Sequence, residues 1–315
     1  MTLTQLSTFV LVVRLGSVKA AASALGVSEP AVSQALGALR HHFGDQLVVR
    51  GRDGMTLTAG GGRLLGVASQ MVALAGEAES AVQSAKGAPE RLRVVASSTI
   101  AEFVAGPLGD AFSSRSGGVV EVSSGVAATG EMEALLSQRL ADLALGPPMD
   151  SDPSLGLAST PIFRGRLVVL AAPGGPARGP DGLWQWLVDP SGTDPDSDTS
   201  LLLRRLGVSS SRVRVFPNQT AAWEAAAGGA GFAPAVAHLA ARQIRRGELR
   251  VVDTPATPME IRWYATTVRP ERCSAATRSM SHFLSTPGAM QLLRAPGTGI
   301  PPSRFRPPVY VTIWS

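Results

Sequence analysis

Apolar residues near the start of the chain recur at intervals of three and four: Leu3, Leu6, Phe9, Val10 and Val13 share one face of a helix predicted over 4–15. Gly16 ends it. Ser17 can cap a second helix whose inner face is Val18, Ala21, Ala22 and Leu25, and Gly26 closes that one. After the turn Gly26-Val27-Ser28 comes a third helix, with Ser28 as its N-cap and Pro30 in the first turn, where a missing N–H leaves no helical bond unmade. Val32, Leu36, Leu39 and Phe43 step by four, three and four and form its inner stripe. The opposite side carries the small or polar Ala31, Ser33, Gln34, Gly37 and Ala38.

The pattern then changes to a strand ending at Arg50, a tight turn through Gly51-Arg52-Asp53-Gly54, and a return strand Met55-Thr56-Leu57, a hairpin favoured by Asp-Gly. Thr58 caps a long helix predicted over 59–86, roughly 42 Å at 1.5 Å per residue. Leu64, Ala68, Met71, Ala75, Ala78, Val82 and Ala85 alternate steps of four and three along it, a heptad seam that needs a partner helix. A second copy of the chain is the simplest supplier. Gly60, Gly61 and Gly62 weaken the first turn by roughly 1 kcal/mol each relative to alanine, which suggests flexibility there. Gly87-Ala88-Pro89 breaks the helix and marks a boundary.

From 91 onward strands and helices alternate, the pattern of an α/β domain with a largely parallel sheet. Strands are expected at 91–97, 118–124, 141–146, 166–173, 212–218, 249–253 and 261–268. Helices are expected at 98–114, 131–140, near 183–187, at 200–207, as a pair within 219–244 broken at 228–234, and at 275–284. A proline-rich tail ends in a strand-like 308–315. The resulting organisation is 1–58, a winged helix-turn-helix; 59–88, a dimerising linker helix; 89–295, a two-lobed domain; and 296–315, a tail. Within the third segment, 89–162 and 267–295 make lobe I and 163–266 makes lobe II.

Composition narrows the function classes. At 315 residues the chain suits two or three domains, and 44% hydrophobic with 17% charged residues is enough to bury real cores. No apolar run approaches the roughly 20 residues of a membrane span, and the first residues carry no basic region or cleavage site, so a cytoplasmic location is expected. The net charge of +5 is almost all arginine, since Lys19 and Lys86 are the only lysines, a bias that GC-rich codon usage explains in part. Over 1–63 six cationic residues face three acidic ones, leaving +3, compatible with binding phosphate. The single Cys273 excludes an intramolecular disulfide. His41 and His42 are adjacent and so diverge by about 100° on a helix, unlike a metal-binding i, i+4 pair. His238 and His282 lack acidic or cysteine partners nearby in sequence, and neither a nucleophile elbow nor a Gly-x-Gly-x-x-Gly loop follows a strand. No catalytic residue, metal site or cofactor is therefore expected.

Two short helices around a glycine-containing turn, followed by a hairpin tipped with arginine, suit DNA. A major groove about 12 Å wide admits a helix whose outer side chains are small. Gln34 can pair bidentately with adenine, Ser33 can reach a base or phosphate, and Arg40 suits phosphate. Arg50 and Arg52 on the hairpin are phosphate or minor-groove candidates. Ser17, Ser28, Glu29, Pro30, Ala31 and Thr58 complete the candidate DNA-binding set.

The stretch FVLVVRLGSVKAAASALGVSEPAVSQALGALRHHFGDQLVVRGRDGMTLTAGG resembles the LysR-type transcriptional regulators, and LRVVASSTIAEFVAGPLGDAF, LADLALGPP and AAGGAGFAPAVA are similar to their effector domain. The resemblance implies a winged N-terminal domain, a dimerising helix, a two-lobed effector domain of periplasmic-binding-protein type, and homodimers or homotetramers that act on promoter DNA. RNA polymerase is a further candidate partner. Three departures stand out: Glu29 replaces the usual glutamine, Arg40 the common glutamate, and three glycines follow the wing. A carboxylate at position 29 is repelled by phosphate, although it can accept from a cytosine amino group.

For the effector, Ser97, Ser98 and Thr99 end a strand and open a helix, where free N–H groups favour an organic anion. Gly146, Pro147 and Pro148 follow one strand end and Asn218 and Gln219 another, as ligand-binding residues of open sheets do. Phe232 and Pro234 are expected to wall the pocket. The chain crosses between lobes near 161–163 and 263–267, the hinge candidates. A solute-binding protein without a DNA role is the rival reading, opposed by the N-terminal module and the lack of an export signal.

Overall fold

The computed structural model describes residues 1–51, 54–85, 89–137, 139–149, 156–175 and 184–295. It divides into two compact units, the first built mainly from Met1–Arg91 and the second from Leu92–Leu136 together with 141–295.

The first unit contains α1 (Leu3–Leu15), α2 (Val18–Leu25), α3 (Glu29–Phe43), β1 (Val48–Gly51), β2 (Gly54–Leu57) and α4 (Ala59–Ala85). Local chemistry sets each boundary. Thr2 and Gln5 close a capping box on α1, and Gly16 ends it in the left-handed region at φ 59°. Ser28 Oγ accepts from Ala31 N at the start of α3, and Gly44 ends that helix at φ 63°. The core unites Leu6, Phe9 and Val10 of α1, Ala21 and Ala22 of α2, Val32, Leu36 and Leu39 of α3, and Ala68 of α4. Two expected core positions fall outside it: Leu3 is exposed, and Phe43, the last residue of α3, is 42% exposed. The chain reverses immediately after Phe43, and Leu47 and Val48 from the returning segment join the core.

The three glycines that open α4 do more than loosen it. A Cβ on Gly61 would lie 1.9 Å from the carbonyl oxygen of Leu47, and one on Gly60 would lie 2.2 Å from a carboxylate oxygen of Asp45. Close approach of the helix start to the backbone before β1 requires glycine at 61, whereas at 60 an added Cβ would displace the Asp45 carboxylate; nothing crowds Gly62.

The second unit holds β3 (Glu90–Ala96), α5 (Ser98–Ile100), a π-helical turn (Ala101–Ala105), α6 (Gly106–Arg115), β4 (Val120–Val126), α7 (Thr129–Ser137), β5 (Leu143–Gly146) and the 15-residue β6 (Leu157–Ala171). There follow β7 (Trp186–Val188), α8 (Asp198–Arg205), β8 (Val213–Val215), α9 (Gln219–Ala227), β9 (Ala233–Val236), α10 (Ala241–Arg245), β10 (Arg250–Val252), β11 (Met259–Val268), α11 (Ala275–Leu284) and α12 (Pro287–Arg294). One seven-stranded sheet runs β10-β6-β11-β5-β3-β4, with β9 also paired to β6, and β7 and β8 form a separate parallel pair.

This sheet is mixed, not largely parallel as the alternation suggested. β3 and β5 are parallel, but β11 is antiparallel to both β5 and β6, and β6 is antiparallel to β9 and β10. The long β6/β11 pair carries both expected lobe crossings. Its register slips where Trp263 pairs with Phe163 and Tyr264 with Pro161, which leaves Ile162 without a partner in that ladder. Three further expectations are corrected. Trp186–Val188 is a strand where a helix was expected near 183–187. β9, whose residues are all buried, begins at the end of the break in the helix pair and runs into what was expected as the second helix. Pro287–Arg294 is a helix capped by Thr286, in a part of lobe I where no element was expected. The tail itself, 296–315, lies outside the described residues.

Candidate DNA-reading face and interlobe site

On α3 the amphipathic split holds from its start to Leu39. Val32, Leu36 and Leu39 are buried, whereas Ser28, Glu29, Pro30, Ala31, Ser33 and Gln34 are exposed, as are Gly37 and Ala38. The exposed face is a ridge of short side chains with one amide, Gln34, and one carboxylate, Glu29. Ser28 has its hydroxyl at the cap, and the carbonyl of Ser17, a half-buried residue, accepts from Ala21 N at the start of α2.

Two candidates have internal employment instead. Arg40 is half-buried and donates from Nε to the Gln46 carbonyl (2.9 Å) and from Nη2 to the Val48 carbonyl (2.9 Å). It therefore braces the segment leading into the hairpin, a role open to it because Gly44 turns the chain back along the end of α3. Thr58 donates its hydroxyl proton to Asp45 Oδ1 (2.7 Å) and accepts from Gly61 N (2.9 Å). Asp45 also accepts from Leu47 N (2.7 Å), and these bonds, the one from Leu47 first, hold its carboxyl below the usual range. Arg40 and Thr58 thus join the wing, the turn before it and the start of α4 into one bonded assembly. Arg52 lies outside the described residues, and the side chain of Arg50 is likewise not described.

On α4 the heptad seam is split. Ala68 is fully buried and Leu64 packs on the core of its own unit. Met71, Ala78 and Val82 are exposed, Ala75 is half-buried, and Val67 and Leu74, at 56% and 62% exposure, join the outward apolar stripe.

In the second unit the candidates at strand ends and helix starts converge in part. Ser98 donates its hydroxyl to Asp189 Oδ2, Thr99 Oγ1 to Gln219 Oε1 (3.3 Å), and Gln219 Nε2 to the Pro234 carbonyl (2.9 Å). Asn218 Oδ1 caps α9 by accepting from Ala221 N (2.8 Å), while its buried Nδ2 has no partner among the described residues. Ser97 is half-buried, and its N–H donates to the Leu145 carbonyl (3.0 Å).

The other candidates stand elsewhere. Gly146 is buried in the sheet opposite Tyr264, with Met132 Sδ 3.0 Å from where a Cβ would sit. Pro147 is buried and Pro148 exposed. Phe232 packs its ring on Trp184 and Trp186, and Pro234 contributes a carbonyl to this network.

Sequence reasoning missed the acidic half of the arrangement. Glu102, 1% exposed, accepts from Gln219 N (2.7 Å), from Thr220 N (3.0 Å) and from the Thr220 hydroxyl. Asp194 accepts from both Thr129 N (2.9 Å) and Thr129 Oγ1 (2.8 Å). Asp189, fully buried, also accepts from Ser191 Oγ (2.5 Å). Burial pushes the Glu102 carboxyl up to about 7 against the bonds from Thr220 and Gln219, and it raises Asp189 as well. A lone glutamate between Ile100 and Phe103 in an apolar run was the available signal.

Comparisons with known proteins bear on the family and the fold. Residues 3–62 match the family model described as bacterial regulatory helix-turn-helix protein, lysR family, and residues 85–286 match LysR substrate binding domain. An HTH-type transcriptional regulator of Mycobacterium tuberculosis (strain H37Rv) is 33% identical over 326 residues, covering 100% of both chains. The fold is similar to that of full-length LysG from Corynebacterium glutamicum with bound effector Arg (TM-score 0.51, 23% identity, 96% of this chain and 100% of that one). It is also similar to full-length CbnR complexed with its target DNA (TM-score 0.55, 21% identity, 90% and 99%).

Proposed function

This chain belongs to the LysR family of transcriptional regulators, DNA-binding proteins with an effector-binding domain, and from that premise we propose that α3 enters the major groove of promoter DNA by its small-residue face. Gln34 and Ser33 are the base-reading side chains, Ser28 and Ser17 sit at helix starts where phosphates are held, and Arg50 and Arg52 of the wing follow the backbone. The observation that carries this reading is the exposure of Ala31, Ser33, Gln34, Gly37 and Ala38 above a buried Val32-Leu36-Leu39 edge. Such a ridge fits a groove about 12 Å wide.

The effector binds between the two halves of the second unit, beside Ser98, Thr99, Asn218 and Gln219, and changes how they close. LysG holds arginine as its bound effector, which supports a small metabolite bearing a carboxylate as the ligand class for this chain. The outward stripe of α4 supports a homodimer, the unit from which tetramers are assembled, with RNA polymerase as a partner on the promoter. No helix among the described residues is long and apolar enough to cross a membrane, and action on a promoter assigns the protein to the cytoplasm.

Binding-site selection from random duplexes followed by salt titration tests the DNA reading. Gln34→Ala should relax base preference with little change in the salt slope. Arg52→Ala should weaken binding to every sequence and lower the slope of log K against log salt by about 1. Unchanged preference and unchanged slope in both variants would sink the assignment.

A further inference from the structure

We propose that Glu102 is a built-in occupant of the anion seat at the start of α9, tying the two halves of the effector domain together, so that an effector carboxylate acts by exchanging with it. The proposal rests on reading the interlobe network as the effector site. The first turn of α9 offers three N–H groups, from Gln219, Thr220 and Ala221. Ala221 N is capped locally by Asn218 Oδ1 (2.8 Å). The other two point at separate oxygens of one carboxylate, Gln219 N at Glu102 Oε2 (2.7 Å) and Thr220 N at Oε1 (3.0 Å), and the Thr220 hydroxyl adds a third donor. Two successive helix-start N–H groups on one carboxylate is the way such a site holds a free organic acid. Here the acid comes from 117 residues earlier in the chain, in the opposite half.

Three observations mark Glu102 as a placed group. It lies in the π-helical turn Ala101–Ala105, between α5 and α6, and such widened turns re-aim side chains and concentrate at functional sites. Its burial in an apolar run is unfavourable and raises its pKa, so the interlobe bonds must offset a real penalty. Beside the seat, Asn218 Nδ2 is buried with no partner among the described residues, a donor ready for a second acceptor on an incoming ligand. The bonds from Ser98 to Asp189, Thr99 to Gln219 and Thr129 to Asp194 join the same two halves, so releasing Glu102 loosens one tie and leaves these in place.

Chemical rescue tests this on the full chain. Glu102→Ala removes the carboxylate and leaves two N–H groups and a gap about the size of acetate. Its melting temperature should fall, then rise saturably by several degrees with sodium acetate against sodium chloride of equal ionic strength, while the wild type does not respond. Equal responses in both proteins, or none in either, would overturn the proposal. If Glu102→Ala does not fold, Glu102→Gln serves: its oxygen can still accept from the helix start, and its melting temperature should fall less steeply than that of the wild type as pH rises toward 8. A Glu102→Gln profile matching the wild type would also overturn the proposal. The effector reading is tested separately: a metabolite that stabilises the wild type should lose its effect in Thr99→Val, a result on which acetate rescue does not depend.

Discussion

Gly61 shows how a single residue can carry a tertiary constraint. With Leu47 O 1.9 Å from where its Cβ would be, and that oxygen accepting from Thr58 N (3.1 Å), an added methyl would separate the wing from the start of α4. Gly61→Ala should destabilise the first unit by about 1–3 kcal/mol, as overpacking does, and reduce DNA affinity along with it. Gly62→Ala, in open space on the same helix, should stabilise by roughly 0.5–1 kcal/mol through helix propensity. Urea unfolding of the two variants checks both signs. Arg40 makes a related point. In sequence it is a cation on the candidate DNA-reading helix, but its two carbonyl acceptors at 2.9 Å make it a brace for the segment leading into the hairpin, which the linear order does not reveal.

At the scale of the element, α4 divides its apolar residues between two tasks. Leu64 and Ala68 pack on the unit's own core; Val67, Met71, Leu74, Ala78 and Val82 face outward in steps of four, three, four and four. A stripe of that spacing is the seam by which two helices pack, and a second molecule is the natural source of its apolar partners. Val67→Asp with Leu74→Asp should therefore shift the protein toward monomer in sedimentation velocity while leaving its helical circular dichroism nearly unchanged. A dimer that persisted unaltered would remove α4 as the interface. The heptad pattern revealed that the helix needs a partner. It did not reveal that the buried side of the seam begins inside the same chain, because a helix touching two neighbours spreads its apolar residues over a wider arc than a heptad count assumes.

For the molecule as a whole, buried carboxylates of the second unit set a pH dependence of defined sign. Burial raises Glu102 to about 7 and Asp198 to about 6, and raises Asp189 as well. A carboxyl whose folded-state pKa lies above its unfolded value binds its proton more tightly when folded, so its contribution is full at low pH and is lost as pH rises through the folded value. Melting of the second unit should move to lower temperature between about pH 5 and about pH 8, with the Glu102→Gln variant showing a shallower slope. Asp45 and Glu260 act oppositely but in a more acidic window, since their bonds, to Leu47 and Thr58 and to Arg164 and Arg262, hold them below the ordinary carboxylate range. Calorimetry across that range separates the two trends.

The sequence by itself determined the elements whose signals are local: α1 to α3 with their serine and glycine boundaries, the exposed small-residue face of α3, the length of α4, and the strand runs of β3, β4, β5, β8, β10 and β11. Each follows from periodicity of 3.6 or 2 and from capping chemistry, which act over a few residues. Only the tertiary structure decided that β6 and β11 pair antiparallel through both halves, that β9 takes the end of an expected helical break and the start of the expected helix after it, that Gly60 and Gly61 are contact glycines, and that Glu102 reaches across to α9. Those facts depend on groups brought together over tens to more than a hundred positions, and a carboxylate inside an apolar run reads identically whether it is exposed or caps a distant helix until the fold supplies its donors.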